Sequence, residues 1–293
     1  MIKYFIIVIL FFVSPGILAD KPLSIVTVNY PLAYFAERIA GKHAIVVFPI
    51  SKDIDPAFWE PDINTVIQYQ KADLIILNGA NYAQWINKVS LPPSKMVNTS
   101  SAFRDQYIQA AGTVTHQHGP AGEHLHAGIA FTTWLDLQQA TQQANSIKKA
   151  LVKIRPEFTK TFDLNYSALE KELLAIDHEF QLLFSKIPSQ PLIASHPVYQ
   201  YLARRYNLNL KNVHWEPNEM PENSEWEYFS SILREHPARW MIWEAEPAAE
   251  IIDRLKEFGV NTIVFNPCSN YPEEGDFMEV MLKNKSVLEQ LDK

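Results

Sequence analysis

The stretch KPLSIVTVNYPLAYFAERI, residues 21–39, sets the plan of the chain, because a similar stretch, QPLIASHPVYQYLARRYNL, returns at residues 190–208. Each begins with a short apolar run typical of a strand, passes through a turn that contains proline, and continues as an amphipathic helix. A second pair, ADLIILNGANYAQWI at residues 72–86 and ARWMIWEAEPAAEII at residues 238–252, repeats the likeness. The two halves of the chain share one plan, which predicts two similar α/β lobes.

The alternation of strands and helices predicts parallel sheets in both lobes. Residues 74–77 are four consecutive apolar residues, which is typical of a strand covered on both faces. From residue 156 to 187 apolar residues recur every three or four positions, which predicts one helix of about 30 residues. We expect an α/β fold with an N-terminal lobe over 20–145, a linking helical segment over 146–187, a C-terminal lobe over 188–293, and a ligand cleft between the lobes.

The first 19 residues have the pattern of a secretory signal peptide, with one lysine, a short apolar run and breakers before Ala19. The only cysteine is Cys268, far from the predicted cleavage site, so we expect a periplasmic protein without a lipid anchor. Acidic residues outnumber basic ones by 33 to 26 and no basic cluster occurs, which argues against a nucleic-acid partner. No nucleophile motif or acid/base pair of carboxylates is evident, so we expect a monomeric binding protein and not an enzyme.

Ligands of open α/β sheets bind at the carboxyl ends of the strands, so residues just after each predicted strand are candidate ligands. His196 is the strongest candidate, because an imidazole between a strand and a helix that begins with proline is held in position and can bind a cation. The alternative is a capping or packing histidine. Glu216 and Glu244 each precede a proline and a predicted helix, which favours helix capping over metal binding. The strand-end segments together supply His196, His214, Glu60, Glu216, Glu244 and Glu246.

The segment THQHGPAGEHLHAG, residues 115–128, contains four of the nine histidines in the chain. Its glycines and proline favour turns and mobility over packing. Its paired H-x-H arrangements can chelate zinc, copper or nickel, and the alternative is a solvated polar loop. The concentration of histidine favours metal contact, with lower affinity than a preformed site because the loop must be ordered on binding. The four candidate ligands are His116, His118, His124 and His126.

Several motifs follow one another in a fixed order along the chain: NYPLAYFAERIAG, DPAFWEP, ADLIILNGANYAQWI, the histidine-rich loop, TTWLDL, the long helix, SHPVYQYLARRYNL and GVNTIVFNPC. This order resembles the zinc/manganese solute-binding proteins of ABC transporters. The resemblance implies two lobes linked by a long helix, with a metal ion held between them by three histidines and a carboxylate. It also implies a permease in the inner membrane as partner, Zn²⁺ as the ion (or Mn²⁺ or another divalent metal), and a histidine-rich loop that serves metal acquisition.

The chain departs from this family at three of the four ligand positions that the resemblance implies. The histidine expected after Asp-Pro is Ala57, the histidine expected two positions before a tryptophan is Thr132, and the aspartate expected after the last strand is Asn266. The remaining histidine is present as His196. Because zinc needs about four nitrogen, sulfur or oxygen donors, the family's ligand set cannot be copied onto this chain.

Three hypotheses remain open. In the first, the site is rebuilt from His196, the loop histidines and Glu60, Glu216 or Glu244, and still serves zinc or another divalent metal. In the second, the cleft holds a metal–organic complex or a small organic cation among tryptophans. In the third, the protein is a metal buffer, a chaperone or an adhesion-type binding protein whose loop binds metal. The tryptophans of the second hypothesis are Trp59, Trp134, Trp215 and Trp243.

Overall fold

The computed structural model describes residues 21–110, 115–117, 123–125 and 128–292. Its first lobe contains a four-stranded sheet in which every neighbouring pair is parallel, in the order β2-β1-β3-β4. This confirms the parallel sheet predicted for the first half. The elements of this sheet and its helices are β1 (Leu23–Thr27), α1 (Tyr30–Ala40), β2 (Ala44–Val47), α2 (Ile63–Lys71), β3 (Leu74–Leu77) and β4 (Met96–Asn98).

The first strand–helix unit forms as its sequence predicts. Asn29 caps α1 by accepting a hydrogen bond from the backbone N–H of Leu32 at 3.2 Å, and Pro31 lies in the first turn. Gly41 ends the helix with φ of 52°, a left-handed value that glycine adopts without strain. The helix is thereby directed back over the sheet, and its apolar face is buried.

The second lobe repeats this architecture, with a parallel four-stranded sheet in the order β10-β9-β11-β12. In both lobes the first strand lies inside the sheet, flanked by the second and third strands of its lobe. The internal likeness of the sequence therefore corresponds to a repeated strand order. The elements of this lobe are β9 (Pro191–Ala194), α5 (Gln200–Tyr206), β10 (Asn209–Asn212), α6 (Asn223–Glu235), β11 (Trp240–Trp243), α7 (Ala249–Glu257), β12 (Asn261–Val264) and α8 (Phe277–Leu288).

Two long helices follow the first sheet and precede the second along the chain, α3 (Leu137–Ile154) and α4 (Thr159–Phe184), and they pack against each other. The predicted helix over 156–187 is confirmed as α4, preceded by a short 3₁₀ turn at Pro156–Phe158. The predicted boundary at residue 146 falls inside α3, and the division of the chain into domains stays a prediction. Within the described residues, every helix is too short or too polar to cross a membrane.

The histidine-rich segment contains two short antiparallel ladders. The outer ladder joins β5 (Gln109–Ala110) to β8 (Gly128–Ile129), and the inner one joins β6 (Thr115–Gln117) to β7 (Glu123–Leu125). In the inner ladder His116 lies opposite His124 in the backbone register. Part of the segment that the sequence predicted as a mobile loop is therefore a paired ribbon.

Hydrogen bonds tie the lobes together along their shared boundary. The indole N–H of Trp134 donates to the carbonyl of Pro267 at 2.8 Å, and the backbone N–H of Tyr30 donates to the carbonyl of Ser269 at 3.0 Å. The side-chain amide of Asn270 donates to the carbonyl of Ile54, also at 2.8 Å. These contacts bring the carboxyl ends of the strands of both sheets to one interface.

Candidate metal site between the lobes

His196 lies at this interface, two residues after the end of β9. The backbone N–H of Ser195 extends the sheet by donating to Ile242, and the carbonyl of His196 accepts from Val198 at 2.9 Å in a tight turn. The imidazole is 7 % exposed, and its Nδ1 lies 3.4 Å from Oε1 of Glu216. The sequence prediction that a strand end presents this imidazole at the interface agrees with this placement; its role as a metal ligand stays a prediction.

His214 joins the same group from the neighbouring strand. The ladder continues past β10, because the N–H of Trp215 donates to the carbonyl of Ser195 at 2.7 Å. The imidazole ring centroids of His214 and His196 are therefore 5.6 Å apart, in an edge-to-face arrangement. The sequence analysis placed His214 among the strand-end donors but did not select it as a ligand. The signal that could have selected it is its position after the strand that pairs with β9.

Glu244 follows β11 directly and is the most perturbed carboxyl group of the interface. Loss of solvation, together with the charges of Asp55 and Glu216, raises its pKa to about 8. This shift means that Glu244 lies within electrostatic range of carboxylates from both lobes. A bound cation would relieve that repulsion, because an opposite charge favours the ionised form.

The capping role that the sequence favoured for Glu216 and Glu244 is wrong. The helix after Glu216 is α6, whose N-cap is Glu222, and the helix after Glu244 is α7, whose N-cap is Ala248. In each case several residues of loop separate the glutamate from the helix. Both carboxylates stay at the strand ends, where Glu216 contacts His196.

Asp55 is an exposed acidic residue of the first lobe whose charge reaches Glu244, and the sequence analysis did not select it. One of its carboxylate oxygens accepts a hydrogen bond from the N–H of Ala57 at 2.8 Å, and its carbonyl accepts from Phe58 and Trp59. These bonds hold Asp55 in a turn. The name interlobe cluster is used below for the imidazole and carboxylate groups of this interface, which are Asp55, His196, His214, Glu216 and Glu244.

The three positions where the chain departs from its resemblance have structural roles. Ala57 is buried and contributes only a methyl group. The hydroxyl of Thr132 donates to the carbonyl of Val198 in the second lobe at 2.5 Å. The amide oxygen of Asn266 accepts from the N–H of Cys268 at 2.7 Å. The side chains of Thr132 and Asn266 therefore stabilise the backbone around the interface.

Of the remaining predicted ligands, the structure describes the side chain of Glu60 alone, and it lies away from this interface. Glu60 is exposed and forms an ion pair with Lys88 on the surface of the first lobe. His118 and His126 lie outside the described residues, as do the side chains of His116 and His124. In the part of the chain that the structure describes, no three histidine, cysteine, aspartate or glutamate side chains are grouped closely enough to hold a metal ion.

In the part of the chain that the structure describes, three of the four tryptophans of the second hypothesis are buried in the cores. Trp134 and Trp243 are fully buried, and Trp215 packs against Trp226 with ring centroids 4.5 Å apart. Trp59 packs edge-to-face on another core indole. Burial leaves the faces of Trp134, Trp215 and Trp243 no room to stack on an organic cation, whereas Trp59 is only partly buried. A cavity of about 480 Å³ occurs at the amino ends of β9 and β11, opposite to the end that carries His196.

The fold and this interface define a class of protein. Two parallel α/β lobes are bridged by packed helices and carry imidazole and carboxylate groups at facing strand ends, which is the architecture of a two-lobed α/β protein with an interlobe interface. The model of the ZnuA family, "Zinc-uptake complex component A periplasmic", matches residues 25–291. The chain belongs to this family.

Individual relatives show how far the likeness extends. The zinc-binding lipoprotein AdcA of Streptococcus pneumoniae is 26 % identical over 283 residues, which cover 93 % of this chain and 56 % of AdcA. The high-affinity zinc uptake system protein ZnuA of Bacillus subtilis is 22 % identical, with 92 % and 87 % of the two chains covered. This chain thus spans little more than half the length of AdcA.

Solved structures share the fold. The crystal structure of Zn(II)-bound AdcA from Streptococcus pneumoniae superposes with a TM-score of 0.78 at 22 % identity, covering 93 % of this chain and 58 % of that one. The metal-dependent lipoprotein YcdH from Bacillus subtilis gives the same TM-score, 0.78, at 20 % identity, with 92 % and 98 % covered. The predicted two-lobed α/β fold is confirmed.

The predicted location, a periplasmic protein without a lipid anchor, was wrong. Matching relatives from two strains of Streptococcus pneumoniae are named zinc-binding lipoproteins, so proteins of this kind include lipidated, membrane-anchored ones. The prediction depended on the lack of a cysteine near residue 20. The absence of one residue type is too weak an observation to establish where a protein is held.

Proposed function

We propose that this protein is the solute-binding component of an ABC transporter that captures zinc between its lobes and passes it to a membrane permease. The observation that carries the proposal is the interlobe cluster, in which His196 lies 3.4 Å from Glu216 at the carboxyl ends of adjacent parallel strands. Relatives named for zinc binding and zinc uptake support zinc as the substrate.

In this proposal the second lobe supplies the preformed part of the site. His196 offers an imidazole nitrogen and Glu216 and Glu244 offer carboxylate oxygens, which are ordinary zinc ligands. The histidine-rich segment supplies further donors from His116, His118, His124 and His126. Glu60, which pairs with Lys88, would have to leave that ion pair to take part.

The protein would act by binding and release, without a catalytic step. Capture requires donors that a zinc ion can draw together from both lobes, and release requires their separation at the permease. The partly buried carboxyl group of Glu244, whose pKa is raised, suits this cycle, because it takes up a proton when the ion leaves. We expect the protein to bind its permease as a monomer.

Chelator-competed zinc titration of the untagged protein tests the proposal. We expect one tightly bound zinc ion per chain, lost in His196→Ala and retained in His178→Ala, which removes an exposed histidine from α4. Elemental analysis of protein purified without added metal checks that zinc is the ion. Unchanged tight binding in His196→Ala would place the site away from the interlobe cluster.

Delivery to a permease needs a separate test. Cells that lack their own zinc-binding component but retain the matching permease should regain growth in zinc-depleted medium when this protein is produced. The His196→Ala protein should not restore growth. Growth restored equally by both proteins would contradict capture at His196.

A further inference from the structure

The described contacts between the lobes include two groups that lie at opposite edges of the interface. One group joins the loops that follow β2 and β12, each of which is an edge strand of its sheet. The other joins residues beyond β4, the second edge strand of the first sheet, to α5, the helix between β9 and β10. Separation of the lobes can therefore begin at either of two edges, and their chemistry differs.

At the first edge, the side-chain amide of Asn270 faces three backbone carbonyls of the first lobe. Its nitrogen lies 2.8 Å from the carbonyl oxygen of Ser51, 3.3 Å from that of Lys52 and 2.8 Å from that of Ile54. Its oxygen accepts a hydrogen bond from the backbone N–H of Tyr271 at 2.7 Å. Because the three carbonyls are acceptors only, a side chain at this position must donate to them. These contacts are called the Asn270 edge below.

The Asn270 edge is accessible to water. The three carbonyls belong to exposed residues, and Asn270 is only partly buried. The aromatic contact beside it is also partly open, because Tyr271 packs on Tyr30 with ring centroids 5.0 Å apart and remains 36 % exposed. Hydrogen bonds at such a position are exchanged for bonds to water at small net cost, since each separated donor and acceptor is solvated at once.

The contacts of α5 at the opposite edge, called the α5 edge below, are buried. The hydroxyl of Tyr201, a fully buried side chain, donates to the carbonyl of Ala130 at 2.9 Å and accepts from the backbone N–H of Ile108 at 3.3 Å. Thr132, which is also buried, donates to the carbonyl of Val198. Breaking these bonds would leave polar groups where water reaches them poorly, which costs more than separating exposed partners.

We propose that the lobes separate at the Asn270 edge while the α5 edge stays closed as the pivot, and that Asn270 is the positioning residue that controls release of the ion. The inference rests on the proposed function, in which release requires separation of the lobes. Asn270 acts by holding the loop at residues 51–54 against the second lobe, and not as a ligand. Loss of this hold lowers the fraction of closed molecules, and the apparent affinity falls by the same factor.

The rate of zinc release into excess chelator, followed by stopped flow, tests this role. Asn270→Asp keeps the size of the side chain but turns an oxygen toward three carbonyls, so release should be about tenfold faster, as expected for loss of two ordinary hydrogen bonds. An added carboxylate also attracts zinc, so Asn270→Ala repeats the test without the charge and should accelerate release similarly. Asn261→Asp adds the same charge at an exposed position of the second lobe and should leave release unchanged. Tyr201→Phe, at the α5 edge, should lower Tm without accelerating release.

Hydrogen exchange of the metal-free protein identifies the edge that opens. The backbone N–H of Tyr30 donates to the carbonyl of Ser269 beside the Asn270 edge, and that of Ile108 donates to Tyr201 at the α5 edge. We expect Asn270→Asp to speed exchange at Tyr30 and to leave exchange at Ile108 unchanged.

Wild-type release rates in both Asn270 variants, or equally faster exchange at Tyr30 and Ile108, would overturn this inference and leave the proposed function intact. Faster release in Tyr201→Phe would also overturn it, because the α5 edge would then open as well. Absence of tight zinc binding in the wild-type protein would contradict the proposed function instead, and the exchange measurement, which needs no metal, would still decide which edge opens.

Discussion

Replacing Arg205 with methionine should destabilise the protein by about 3 kcal/mol. Arg205 forms a bidentate ion pair with Asp177, in which Nε donates to Oδ1 at 2.9 Å and Nη2 donates to Oδ2 at 2.5 Å. Asp177 lies on α4 and is 4 % exposed, whereas Arg205 lies on α5 in the second lobe. The pair therefore fastens the second lobe to the long helix between the sheets.

The magnitude follows from what the carboxylate keeps when the arginine is removed. Breaking a buried ion pair from one side costs about 3–5 kcal/mol, because a charge is left in the interior. Asp177 would still accept hydrogen bonds from Tyr206 at 2.9 Å and Gln181 at 3.2 Å. The Arg205 side chain is also 18 % exposed, so water can reach part of the gap. Both facts place the cost at the lower end of the range.

Denaturant unfolding and calorimetry of the metal-free protein measure this cost. A loss of about 3 kcal/mol corresponds to a fall in Tm of about 6–12 °C for a protein of this size. The control is Lys256→Met, which breaks an exposed pair with Asp253 and should cost about 0–1 kcal/mol. The double variant Arg205→Met with Asp177→Leu should recover most of the loss, because neither charge remains.

A cost below about 1 kcal/mol for Arg205→Met would refute this reasoning, since it would mean that Asp177 is not left as an uncompensated buried charge. A double variant no more stable than Arg205→Met would also contradict it. That result would show that the loss comes from packing of the arginine stem and not from the isolated carboxylate.

Three further predictions test other parts of the structure. In the metal-free folded protein the pKa of Glu244 is about 8, which is above its value in the unfolded chain. The folded state therefore binds more protons than the unfolded state, and the free energy of unfolding should fall as pH rises from about 4.5 to about 8. Glu244→Gln should remove this dependence of Tm on pH. Gly79→Ala should lower the free energy of unfolding by roughly 2 kcal/mol or more, because φ is 77° and the added Cβ would lie 2.2 Å from Oδ1 of Asn98. An unchanged midpoint of denaturant unfolding would contradict the conformation of this turn. Thr132→Val should cost about 1 kcal/mol through loss of the bond to Val198, and a neutral result in the same assay would show that this contact between the lobes does not contribute to stability.

The fold was predictable because local patterns carry it. The apolar run of β3 from Leu74 to Leu77 and the helix start after Asn29 are encoded within a few residues, and both occur where the sequence predicts. The long helix α4 follows from apolar spacing alone. The rule that ligands bind at strand ends brought His196, Glu216 and Glu244 into consideration before any contact was known.

The candidate site was only partly predictable. Asp55 reads as an ordinary turn residue. Glu60 looked as suitable as Glu216, yet it pairs with Lys88 on the surface. Local sequence does not reveal which side chains from distant loops meet, because those contacts depend on how the two sheets are placed against each other.

The sequence by itself determined the repeated strand–helix plan, the linking helix and the family, since each depends on periodicity and motif order over neighbouring residues. Only the tertiary structure decided the fate of individual polar groups. It buried Trp134, Trp215 and Trp243 in two cores, directed Thr132 to a backbone carbonyl, and placed Glu244 where carboxylates of both lobes act on it. Burial and electrostatic coupling arise between residues far apart in the chain, so they exist only once the lobes have packed together.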